Sequence, residues 1–181
     1  RTARNLAAAV HTLHTAGYVI GDMSESNIFV SNTAVVTLVD TDSFQVANPE
    51  TGAVHRCAVG RPEFTPPELQ GADFGRADRT PAQDHFGLAV LIFQLLMEGT
   101  HPFEGIYEGP GDPPSYEQRI ASGHFPYGSS QDIPYRPKPG APTFHTLYPL
   151  LQSWFIQCFE KGRTDPMIRP DARSWQTALE Q

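Results

Sequence analysis

A mainly α-helical domain carrying one small β-hairpin is what this sequence predicts, and three observations predict it. Thr80-Pro81-Ala82-Gln83 has the form of a capping box with Pro at the first helical position, and the residues from Phe86 to Met97 leave the following helix almost no polar face. Leu147, Leu150, Leu151, Trp154, Phe155 and Cys158 recur at helical spacing as an amphipathic stripe. Only two short runs are of β type, Ile28–Val30 and Val35–Val39, with a turn at Ser31-Asn32 between them.

In chain order, Leu6, Ala9, Val10 and Leu13 place a helix over residues 3–16, and Gly17 stands where a left-handed residue ends it. The β pair follows. Thr41 to Pro66 is polar, punctuated by Gly and Pro, and irregular, a length that in a compact domain marks a functional or mobile segment. The apolar helix after Thr80 closes at Gly99. Being apolar all round yet too short to span a bilayer, it is expected at the buried centre. Ser115-Tyr116-Glu117-Gln118 opens a short helix that ends near Gly123. Phe125 to Pro142 is Pro-rich, without periodicity, and reads as a surface insertion. Gly162 ends the stripe helix, and Ala172, Trp175, Ala178 and Leu179 form the last one.

A chain of 181 residues is one ordinary domain that buries roughly 70% of its unfolded surface, so a core forms without staples. Its two cysteines could not supply a disulfide scaffold. With 13 Lys and Arg against 20 Asp and Glu the net charge is −7, which argues against a nucleic-acid or anionic-membrane surface. The strongest apolar run, Leu88–Met97, is about half the ~20 residues of a membrane span. No basic stretch followed by an apolar one opens the chain, so a cytoplasmic location is expected. The first residues read as the inside of a helix, and Arg1 is therefore not expected to be a natural start.

Candidate chemistry gathers at the strand ends. Asp22 and Asn27 flank the first strand, and Asp40 and Asp42 follow the second. Antiparallel pairing would bring residues 22–27 beside Asp40, making a set of carboxylate and amide oxygens suited to a hard cation such as Mg²⁺. Singly, each is an ordinary turn residue. His11 and His14 share a helix face but have no Cys or carboxylate to complete a metal set, so they are expected to face solvent. Cys57 reads as a free thiol in the polar loop and Cys158 as core. Thr41, Ser43, Thr51 and Thr65 are phosphoacceptor candidates only through lying on that irregular segment.

Order and spacing change the weighting. Asp22-Met23-Ser24-Glu25-Ser26-Asn27 has the Asp-to-Asn offset of the protein-kinase catalytic loop, and Asp40 lies where that family's metal-binding Asp follows a strand. Gly60-Arg61-Pro62-Glu63-Phe64-Thr65-Pro66-Pro67-Glu68 resembles the signature that closes a kinase activation segment. Asp84-His85-Phe86-Gly87-Leu88-Ala89-Val90 resembles the helix that follows it, Gly99-Thr100-His101-Pro102-Phe103 that helix's exit, and Arg169-Pro170 the late Arg-Pro pair. Five motifs in the correct order over nearly the whole chain, residues 1–181, resemble the C-terminal lobe of a divergent, bacterial type of eukaryotic-like protein kinase. Residues 40–68 would be its activation segment.

The resemblance implies phosphoryl transfer from Mg-ATP to protein Ser/Thr when an N-terminal lobe is present. ATP and a protein substrate would be the partners, with a regulatory phosphatase or other signalling protein as a further class. Asp22 would be the catalytic carboxylate. Asn27 and Asp40 would hold Mg²⁺ and the nucleotide's phosphates, with Asp42 the runner-up ligand. Two carboxylates this close repel, so one should have a raised pKa without a cation between them. Asp84 would accept backbone N–H bonds from the catalytic loop, and Glu68 and Arg169 would form a buried ion pair.

Departures from the pattern matter as much. Ile20-Gly21 replaces the usual His-Arg, removing the cation that receives a phosphorylated activation segment, so control by that phosphorylation is not expected. Ser24 replaces the usual Lys, and Arg61 stands where a Thr is usual, which suggests that Arg61 supplies the phosphate-facing cation. Asp40-Thr41-Asp42 replaces Asp-Phe-Gly. No Gly-rich phosphate loop lies in the sequence, so the piece alone is expected to be inactive. A catalytically silent, kinase-like interaction module is the alternative.

Overall fold

The computed structural model describes residues 1–130 and 132–180 and is helical in the main. Helix α1 (Thr2–Thr15) is followed by the antiparallel hairpin β1 (Ile28–Val30) and β2 (Val36–Leu38), in which Phe29 faces Thr37. A second small hairpin, β3 (Val46–Ala47) with β4 (Val54–His55), lies inside the segment expected to be irregular throughout. Next come α2 (Pro81–Leu96), β5 (Ile106–Tyr107), α3 (Tyr116–Ser122), β6 (Tyr135–Arg136), α4 (Pro149–Phe159) and α5 (Ala172–Ala178).

Helix α2 is the axis of the lobe. Thr80 caps it, the Gln83 side chain accepts the Thr80 N–H at 2.7 Å, and every residue from Phe86 to Phe93 is buried on it. Its all-round apolar surface requires neighbours on every side. α1 and α4 supply two of them, and α5 packs in turn on α1. Phe86 and Phe93 of α2 meet Phe103, Phe125, Phe155 and Phe159 in a continuous aromatic cluster with centroids 5.0–6.3 Å apart. Gly87 lies where α2 passes under the loop before β1, and a Cβ there would lie 2.6 Å from that of Met23.

The reading of residues 125–142 as a surface insertion is overturned. Phe125, Tyr127 and Tyr135 are buried, and β6 pairs with β5. Single aromatics delivered to the core from an extended strand leave no helical or alternating signature, which is why the segment looked featureless. Cys158 is core, but Cys57 is fully buried as well, and both thiols are free.

His101, just beyond α2, is a buried polar connector. Its Nδ1 accepts the Phe103 N–H at 3.2 Å and its Nε2 donates to the Glu63 carbonyl at 3.0 Å, which fixes one neutral tautomer. Burial pulls its pKa down from the ordinary 6.5 to about 4, against the raising influence of the Glu63 carbonyl and of Glu104. Half-buried His85 is likewise lowered to about 4 by burial and by His14. Between those values the unfolded chain binds protons that the native lobe refuses, so stability is complete above pH 6.5 and falls as the pH approaches 4. Urea denaturation at pH 7 and at pH 4.5 should show the loss. His101→Gln should reduce the difference by about 3 kcal/mol, leaving the His85 contribution.

Candidate active site

The short hairpin β1–β2 brings its two flanking loops together at one end of the lobe. The Val39 N–H donates to the Asn27 carbonyl at 3.0 Å, which sets Asp40 beside the Asp22–Asn27 loop. The Asn27 side-chain amide donates both to the Asp22 carbonyl and to Asp22 Oδ2, each at 3.1 Å. That leaves the carbonyl oxygen of the Asn27 side chain with only a long contact from Ser26. Asp22 Oδ1 is buried and has no hydrogen-bond partner. A buried carboxylate oxygen is costly unless a donor, water or cation meets it.

Asp40 takes a left-handed conformation, φ 59° and ψ 39°, that non-glycine residues avoid. Asp42, hydrogen-bonded to it and repelling it, holds the Asp40 carboxyl above the usual carboxylate range, and the Asp22 charge pushes the same way. The structure therefore draws Asp22, Asn27, Asp40 and Asp42 into one electrostatic neighbourhood. Among the described residues no three His, Cys, Asp or Glu side chains form a metal cage. Carboxylate and amide oxygens are the donor types that Mg²⁺ takes together with water and phosphate oxygens. Phe44, two residues beyond Asp42, is buried in the hydrophobic core.

The loop itself is held from below. Asp84, in the first turn of α2 and 1% exposed, accepts the Ile20 N–H at 2.7 Å and the Gly21 N–H at 2.8 Å. Its Oδ2 also lies 2.9 Å from His14 Nε2. The expectation that His14 faces solvent is overturned: its side chain is 10% exposed and completes the Asp84 cluster. Sequence spacing linked it to His11, whereas the partner that matters is seventy positions away.

Glu68 and Arg169 meet as a two-pronged pair, both N–H···O distances 2.7 Å, and Arg169 donates further to the Ala82 and Gly162 carbonyls at 3.0 and 2.6 Å. The guanidinium is fully buried, while Glu68 is 25% exposed and also receives the Gln83 amide. Arg61 stands apart from the acidic set. Its Nη1 lies 3.8 Å from Glu25 Oε1, both side chains being largely exposed. Ser24 is fully buried, with its hydroxyl 2.9 Å from that of Ser26. Thr65, a phosphoacceptor candidate, is buried and donates to the Arg61 carbonyl at 2.8 Å, which withdraws it from that role.

The mainly helical fold with its small hairpins agrees with a kinase C-terminal lobe, and the relatives that follow support a kinase-like lobe. No protein-family profile matches it. It is 37% identical, over 98% of its length, to the protein kinase YegI of Escherichia coli O157:H7 and equally to that of strain K12. It is 30% identical over 64% of its length to the mouse serine/threonine-protein kinase MRCK gamma, of which it covers 8%. The chain spans about a quarter of the YegI proteins (27%). No helix is long and apolar enough to cross a membrane among the described residues.

Proposed function

We propose that this lobe supplies the catalytic floor for phosphoryl transfer from Mg-ATP to a protein Ser or Thr hydroxyl, acting with an N-terminal lobe that covers the nucleotide. The observation that carries the reading is the buried, unpartnered Oδ1 of Asp22 within a set of oxygens from Asn27, Asp40 and Asp42. Asn27 holds the other oxygen of Asp22, and Oδ1 would be the acceptor for a substrate hydroxyl proton. Asn27 and Asp40 would hold Mg²⁺, with Asp42 in reserve. The bound ion would neutralise charge on the transferring group. Residues 40–68 serve as the activation segment, and Asp84 keeps the catalytic loop in register with α2. Arg61 supplies the phosphate-facing charge after leaving Glu25, a partly exposed pair whose loss costs little.

A silent interaction module is the second reading, and buried Ser24, which offers no cation where kinases usually carry one, favours it. The two separate on nucleotide binding by the protein that carries both lobes. The kinase reading expects calorimetric binding of ATP that requires Mg²⁺ and disappears in Asp40→Ala, with Arg61→Ala lowering turnover about tenfold or more. Absence of Mg²⁺-dependent ATP binding would establish the silent module. Loss in Asp42→Ala but not in Asp40→Ala would move the metal ligand to Asp42.

A further inference from the structure

A second guanidinium, outside the acidic cleft, has no assigned work. Arg79 immediately precedes the Thr80 cap of α2 and is 5% exposed. Its Nη2 donates to the Val59 carbonyl at 2.7 Å, its Nη1 meets Cys57 Sγ at 3.5 Å, and its charge lies 4.2 Å over the Phe74 ring. The backbone of Arg79 is clamped too. The Gln45 side chain accepts the Arg79 N–H at 2.9 Å and donates to the Arg79 carbonyl at 2.6 Å. Gln45 in turn pairs with Val19 by two backbone hydrogen bonds, one residue before the loop that carries Asp22.

The decisive contact is at Gly21. With φ +75° it has a conformation suited to glycine, and a Cβ built there would come 2.7 Å from Arg79 Nη1 and 2.6 Å from Cys57 Sγ. The guanidinium and the Cys57 thiol thus fill the space that a side chain at position 21 would need. Carbonyl, thiol and aromatic ring are the partners recorded for it, and neighbouring Asp78 is engaged with Arg56. Among the described residues no carboxylate touches the guanidinium directly, although the charges of Asp22 and Asp84 act with it on the Cys57 thiol.

We propose that Arg79 is a positioning residue that pins residues 57–60 against the Gly21 loop, so that the segment 40–68 holds its working conformation with no phosphate upon it. The pinning is independent of the reaction, while its consequence for turnover rests on the kinase reading above. It explains how the loop dispenses with an arginine of its own at position 21.

Thiol labelling tests the pin directly, because Cys57 lies under it and Cys158 is buried elsewhere. In Arg79→Ala, Cys57 should react about tenfold or more faster than in the parent while Cys158 stays protected, and Arg79→Lys should fall between. With both lobes present, Arg79→Ala should lower kcat about 100-fold with KM for ATP little changed. Phosphatase pretreatment should leave the parent enzyme's turnover intact. Unchanged Cys57 labelling in Arg79→Ala would overturn the proposal, as would loss of parent turnover on phosphatase treatment. Should both cysteines label together in Arg79→Ala, the lobe has unfolded and Arg79→Lys decides: selective Cys57 exposure supports the pin, and full protection with full turnover refutes it. A parent protein that transfers no phosphate would defeat the kinase reading, and Cys57 labelling would still decide the pin.

Discussion

Asp22→Asn is expected to lower phosphoryl transfer by about 10²–10⁴-fold in the two-lobed protein, with ATP affinity nearly unchanged. The substitution is isosteric, and the site shows why it should nonetheless be severe. Asp22 has one oxygen occupied by the Asn27 amide and one buried without a partner. An amide in its place either sets two NH₂ groups against each other or turns its own NH₂ toward the substrate hydroxyl, where an acceptor is required. Neither arrangement receives a proton. Steady-state kinetics with saturating Mg-ATP is the measurement. A variant that retains parental kcat would remove Asp22 from the chemistry.

Arg169→Ala carries the largest expected loss of stability. Removing the fully buried guanidinium strands Glu68 and uncovers the Ala82 and Gly162 carbonyls, four hydrogen bonds in all. Breaking a buried pair from one side costs about 3–5 kcal/mol, which in a chain of this size lowers Tm by roughly 10 °C. Glu68 is partly exposed, and this solvation favours the lower end of that range. Calorimetry on the isolated lobe measures it. Unchanged melting together with lost nucleotide binding would instead make Arg169 a site residue.

How much of this was legible beforehand depends on whether the signal was local. Thr80, Gln83 and the apolar run wrote α2 into consecutive residues, and Ser115, Gln118 and Gly123 did the same for α3. Strand pairing and the resemblance to a kinase catalytic loop grouped Asp22, Asn27 and Asp40, and a hairpin as short as β1–β2 keeps its ends close. His14, Gln45 and Arg79 were missed. Each finds its partner dozens of positions away, and their neighbours in sequence carry no trace of it. The aromatics Tyr127 and Tyr135 were missed for a related reason, since a proline-rich stretch can deliver core residues one at a time without any period.

Asp84 joins the most deeply buried helix to two amides of the loop that carries Asp22, and this is expected to tie local opening there to unfolding of the helix. The amide hydrogens of Ile20 and Gly21 cannot exchange with solvent until the Asp84 carboxylate lets go, and it is seated in the first turn of α2. Hydrogen exchange at these two amides should therefore slow to the rate of the α2 core, and faster exchange would show the loop opening by itself.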